Sequence, residues 1–229
     1  MKNIVDLSIF LIFQYLFFTF IFILLYQGGN ILDPFAKDYV LSENFLSDLA
    51  LDKLYNGEKN SFDIFYRFSL TIYGIGLGLF FWVISKFCRK KRNIPLILGV
   101  ISGIGIVVLS FFWSVQLPDT YDIYNKFTVS YLMGMFCFLS FYMATITLNY
   151  YVRSSDFPHI SSLLLFLNVT QFIFLVTLGY IKYFLLKTDM RSAVVLTAVL
   201  QKIVVLVQIF VELFILIILR QYNSKINIL

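Results

Sequence analysis

Two groups of residues have the types and spacing for chemistry. The first combines Ser47 and Asp48 with Asp119, Asp122, Tyr124 and Asn125. Carboxylates beside a hydroxyl can hold a divalent cation through oxygen ligands, or aim a water at a lipid ester or phosphate. Ser47, Asp48, Asp122 and Tyr124 are the candidate catalytic residues, and Asp48, Asp119 and Asp122 the candidate metal ligands. A plainer role competes with this one: Ser47 and Asp48 pin a loop through backbone hydrogen bonds, while Asp122 and Asn125 cap a helix. The preference of Asp, Asn and Ser for caps and turns favours the plainer role.

The second group is Thr197, Gln201, Gln208 and Glu212, at separations of four, seven and four residues. At about 100° per residue these side chains stay within about 60° of one another on a helix. Polar groups in hydrocarbon are expensive and turn to the bundle interior, where Asn168 and Gln171 are the expected pairing partners. Glu212 would lie about 12 Å in from Arg220, deep enough to serve as a proton or cation site. Lys202 points about 100° from the middle of the stripe and is expected to snorkel to headgroups. Interhelical hydrogen bonding is the simpler use of such a stripe.

The elements that must position these groups follow from composition. The chain has 229 residues, 60% of them hydrophobic, 19% aromatic and only 14% charged, with a mean hydropathy of +0.85. Soluble domains carry about 25% charged residues, and a chain of this length could not hide so much apolar surface in one aqueous core. The 11 Gly, 4 Pro and 2 Cys leave no room for a collagen, a disordered chain or a disulfide scaffold. A single histidine removes bis-histidine haem, His-rich zinc and HExxH chemistry, each of which needs at least two imidazoles. No cofactor is implied.

A bilayer core of about 30 Å needs about 20 apolar residues of helix. Six such runs are present, and they predict an all-α, polytopic transmembrane bundle with helices near 7–26, 66–87, 94–115, 128–151, 161–184 and 192–219. The runs are continuous, not alternating, so they are helices and not barrel strands. The first is too long for a signal-peptide core and lacks a small-x-small cleavage site, so it is expected to remain as helix one. Gly74 and Gly78, with Gly99, Gly103 and Ser110, mark faces where helices two and three would approach closely.

Orientation follows the basic residues. With both termini inside, the cytoplasmic side holds Lys2, Lys86, Arg89, Lys90, Lys91, Arg92, Arg153, Arg220 and Lys225 against only Asp6 and Asp156, whereas the opposite side carries eight Lys/Arg against ten acids. The run Arg89–Arg92 reads as an anchor at an anionic leaflet and not as a nucleic-acid patch. The chain is therefore expected in the cell membrane as a multi-pass protein, with membrane lipids and membrane-embedded proteins as its partners and no nucleic acid.

The loop 27–65 holds most of the extramembrane mass, on the non-cytoplasmic side. A connection this long is functional or disordered as a rule, and this one keeps apolar residues at helical spacing. After a cap at Ser42, the residues Phe45, Leu46, Leu49 and Leu54 predict a short helix ended by Asn56-Gly57, with Asp48, Asp52 and Lys53 facing water or headgroups. Such a helix would cap the bundle.

The stretches Asn44-Phe-Leu-Ser-Asp-Leu49, Tyr55-Asn-Gly-Glu-Lys-Asn-Ser61 and Pro118-Asp-Thr-Tyr-Asp122-Ile-Tyr124-Asn125 resemble the signature of the bacterial and archaeal six-helix membrane proteins grouped as domain-of-unknown-function family 998. The resemblance covers helices one to four, and the last two by hydropathy. Ala50 stands where that family favours Gly, and Tyr124 where it favours His, which removes the obvious general base. The resemblance implies the six-helix fold and no particular activity.

Three functions are consistent with these residues. The leading one is binding or handling of a lipid or small amphiphile at the outer leaflet, without an enzyme activity that the sequence demonstrates. The alternatives are a membrane-embedded lipid hydrolase or transferase using the outer-face carboxylates, and a small proton-coupled transporter using Glu212.

Overall fold

The computed structural model describes residues 2–88, 93–112, 138–139, 141–150, 152, 157–185 and 188–226. They form α1 (Lys2–Leu25), α2 (Asp63–Ser85), α3 (Asn93–Phe112), α4 (141–150), α5 (Pro158–Tyr180) and α6 (Met190–Ile226). α5 runs on into a π-helical turn, Ile181–Leu185. The described residues contain no strand, only an isolated bridge between Lys53 and Lys59. Among the described residues, four helices are long and apolar enough to cross a membrane: Lys2–Leu25, Asp63–Ser85, Pro158–Leu185 and Met190–Tyr222; Asn93–Val108 is a shorter apolar helix. Half of the expected fourth span, including Cys137, lies outside the described residues.

α1 shows which solvent the fold expects. Val5, Ser8, Ile12, Tyr15, Thr19 and Phe22 recur every three or four residues and are buried, whereas Phe10, Phe13, Phe17, Phe20 and Leu24 point outward, each more than half exposed. A helix apolar on both faces, with its bulkiest side chains outside, is built for hydrocarbon.

Between helices, small residues and scattered hydrogen bonds replace the aqueous hydrophobic effect. A Cβ on Gly103 would stand 2.6 Å from the carbonyl oxygen of Gly74, so the α2 and α3 backbones touch where only glycine fits. Thr71 Oγ1 and Ser110 Oγ share a hydrogen bond of 3.0 Å on the same seam. α1 joins α2 through Ser8 Oγ donating to the Gly76 carbonyl and Gln14 Nε2 donating to that of Ser69, both at 3.1 Å.

The two ends of the bundle differ. At one, Arg220 Nε meets Asp6 Oδ1 at 2.7 Å, and the rings of Phe87, Phe157 and Tyr222 contact one another at centroid distances of 5.1–6.3 Å. The start of α1, the end of α2, the start of α5 and the end of α6 therefore share this end. At the other, the connection between α1 and α2 folds over the bundle as a cap.

The cap departs from the helix expected after Ser42. It contains only a five-residue 3-10 turn, Leu46–Ala50, and leaves it at Leu51 in an extended conformation. The Asp48 side chain accepts the Phe45 amide at 2.9 Å, which starts the turn at Phe45 and not at Ser42. Leu54 is not on its face. The segment Leu54–Glu58 instead reverses direction, with Leu54 N donating to the Glu58 carbonyl at 2.8 Å and Gly57 at φ 88°, a left-handed conformation that favours glycine. The Asn56-Gly57 pair is the tip of this reversal and not a helix stop.

Candidate functional site

The described structure brings two polar clusters together: one inside the cap and one at the centre of the bundle.

Asn44 is the hub of the cap and is fully buried. Its Nδ2 donates to the Gly29 carbonyl at 2.7 Å and to Asp48 Oδ2 at 3.1 Å, and its Oδ1 accepts the Val40 amide at 2.8 Å. Asp48, expected to face water, is buried as well. Oδ2 takes the Phe45 and Asn44 donors, and Oδ1 accepts the Tyr55 hydroxyl at 3.2 Å. Burial pushes the Asp48 carboxyl up from its ordinary 3.8 to about 6, opposed by those hydrogen bonds and by the charge of Lys202. Burial likewise raises the hydroxyls of Tyr26, Tyr39 and Tyr55, with the neighbouring Asp48 charge adding to it.

Two residues of α6 fasten this cap. Gln201 Oε1 accepts the Leu46 amide at 2.9 Å, so Gln201 pairs with the cap and not with Asn168 or Gln171. Lys202 Nζ donates to the carbonyls of Asn44 and Ala198 and lies 5.4 Å from the centre of the Tyr39 ring. The ammonium is turned under the cap instead of snorkelling to headgroups, because backbone carbonyls and an aromatic face satisfy it there. From α2, Arg67 Nε donates to the Ala50 carbonyl at 2.9 Å and pairs with Asp63 at 2.8 Å.

The central cluster joins α6 to α2. Glu212 has no exposed surface. Tyr73 OH accepts from Gln208 Nε2 at 2.8 Å and faces Glu212 Oε2 and Oε1 at 3.3 and 3.4 Å. Among the described residues no basic group pairs with Glu212. Tyr15 of α1 stacks on Tyr73 with centroids 4.6 Å apart, and its hydroxyl shares a 3.2 Å hydrogen bond with that of Tyr66. Tyr73, Tyr15 and Tyr66 thus form a buried aromatic cluster beside Glu212. The sequence reading missed these tyrosines. The signal available was the seven-residue spacing of Tyr66 and Tyr73, which puts both on one helix face.

The remaining sequence candidates are dispersed. Asn168 and Gln171 turn to α4: Gln171 Oε1 accepts the Thr145 hydroxyl at 3.0 Å, and Asn168 Nδ2 reaches the Thr145 carbonyl at 3.5 Å. Thr197 bonds back to the Ala193 carbonyl at 2.7 Å within its own helix. Ser47 is half-buried in the 3-10 turn. Asp119, Asp122, Tyr124 and Asn125 lie outside the described residues. No group of three or more His, Cys, Asp or Glu side chains suited to a metal ion occurs among the described residues.

The clusters differ in what they can do. Asp48 has each oxygen engaged by donors of its own loop, an arrangement that holds a chain in place. Glu212 faces the Tyr73 hydroxyl and the Gln208 side chain in an apolar interior, an acid held between two helices with no basic partner among the described residues. No protein-family model, curated protein or solved structure matches this chain.

Proposed function

We propose that this chain is a six-span integral protein of the cell membrane, with both termini cytoplasmic and the 27–65 cap outside, and that it works as a small proton-coupled transporter through Glu212. The observation that carries the functional part is the buried contact of Glu212 with Tyr73 and Gln208. An ionisable side chain inside a membrane bundle is costly, and it marks a functional site by default. Glu212 faces Tyr73 and the bundle interior and not the lipid.

The topology is supported by the basic bias of one set of loops and by the shared end of Asp6, Phe87, Phe157, Arg220 and Tyr222, which an even number of spans produces. Alkylation of single cysteines introduced at each terminus and in the cap tests the sidedness: the termini should label only from the cytoplasm and Phe35→Cys only from outside.

For the function, the full chain is reconstituted in lipid vesicles loaded with a pH-sensitive dye, and a potassium gradient with valinomycin drives proton entry. The wild type should acidify the lumen and Glu212→Gln should fall to the rate of empty vesicles. Equal rates for the two proteins would remove Glu212 from the function. A second reading, handling of an amphiphile at the outer leaflet, is favoured by Phe35 and Leu41, 81% and 62% exposed on the cap, where apolar side chains can enter the interface. Membrane lipids are the partners on either reading.

A further inference from the structure

A crevice of about 420 Å³ opens on the hydrocarbon-facing surface beside the α2–α3 seam. Its walls are Gly78, Leu79 and Trp82 of α2 with Leu96 and Val100 of α3, and Ile4 of α1 also lines it. A hollow here needs explaining, because the same two helices touch at Gly74 and Gly103 one turn away. Gly78 supplies the reason: a Cβ built on it meets nothing within 4 Å. The hollow is open along one side, a groove more than an enclosed cavity, and its lining carries apolar side chains suited to a hydrocarbon chain.

The mouth of the crevice has a charge. Lys86 is exposed one turn beyond Trp82, with Nζ 4.7 Å from the centre of the indole ring that forms the wall. The indole steers the ammonium to the level where a headgroup sits, since Trp and Lys both settle at the membrane interface. In the sequence the basic run Arg89–Arg92 follows directly. An apolar slot with a cation at its interfacial end is complementary to an acyl chain carrying an anionic head. We propose that this crevice is a binding site for an anionic phospholipid, with one acyl chain along Gly78 and Val100 and the phosphate at Lys86. The topology proposed above sets only which leaflet supplies the lipid. The site is independent of Glu212.

The test uses the full chain purified in mild detergent and offered equal amounts of chain-matched phosphatidylglycerol and phosphatidylcholine, with retained lipid read by native mass spectrometry. One lysine near a surface favours an anionic lipid by about fivefold, so wild type should retain phosphatidylglycerol over phosphatidylcholine by about that factor. Lys86→Gln should bring the two lipids to parity while an adduct persists. Gly78→Leu should fill the slot and reduce both adducts. Val100→Phe fills it from the opposite wall and serves if Gly78→Leu does not fold. Equal retention of the two lipids by the wild type would overturn the proposal, as would unchanged adducts in the folded slot-filling variant.

Discussion

The cap and the bundle centre each bury an acid, and they do so by opposite means. Asp48 is surrounded by donors supplied within about ten residues of chain: the Phe45 amide, the Asn44 amide group and the Tyr55 hydroxyl. Glu212 meets the Tyr73 hydroxyl, from a helix more than a hundred residues away in sequence, and the Gln208 side chain one turn back on its own helix. Donors from its own loop hold Asp48 and rigidify that loop, whereas the Glu212 contact ties together two helices distant in sequence. On the proposed function, the cap is structure and the centre is the working site.

The sharpest way to break the comparison is to remove the hub of the cap. Asn44→Ala strips donors and acceptors from the buried Gly29 and Asp48 and the half-buried Val40 groups, and a loss of about 3 kcal/mol is expected from the stranded polar atoms. Reversible unfolding in mixed micelles measures it, and a near-neutral result would mean that the cap is not held by this network. At the centre, Tyr73→Phe leaves Gln208 Nε2 and Glu212 without their shared partner and should cost about 2 kcal/mol in the same assay.

A third effect is smaller and depends on pH. The Asp48 carboxyl is raised from 3.8 to about 6, so the folded cap binds this proton more tightly than the unfolded chain does. Its contribution is complete below about 3.8 and is lost as pH rises through about 6. Between about pH 7 and about pH 5 the fold should gain about 1 kcal/mol from this group. The slope should vanish in Asp48→Leu whatever that variant's absolute stability, and a slope that survives belongs to another residue. The smallest effect is expected at the rim: Arg191 meets Glu43 at 3.5 Å while 77% exposed, and Arg191→Ala should change stability by less than about 0.5 kcal/mol.

How far the sequence could be read follows the same division. The apolar runs reveal helices because a membrane demands about 20 residues of unbroken hydrocarbon-compatible chain, and α1, α2, α5 and α6 begin within a few residues of their expected starts. The glycines foretold the Gly74–Gly103 contact, since a backbone approach has no substitute residue. The polar spacing on α6 made Glu212 visible as a candidate but not its partner, because Tyr73 is an ordinary aromatic until α2 is packed against α6. The cap resisted most. Phe45, Leu46, Leu49 and Leu54 have helical spacing, yet the side chains of Asn44, Asp48 and Asn60 bond to backbone amides and carbonyls and turn the chain three times within 20 residues. Such local competition with the helix is invisible to periodicity. Lys202 was misjudged for a related reason: its acceptors are backbone carbonyls, one of them in a loop 158 residues away in sequence.

The central claim, that Glu212 is the group that gains and loses a proton, is tested most directly by infrared titration of the full chain in lipid. Wild type should show a protonated-carboxyl band that changes with pH and is absent in Glu212→Gln, while the band assigned by Asp48→Asn behaves independently. A carboxyl spectrum identical in wild type and Glu212→Gln at every pH would contradict the account.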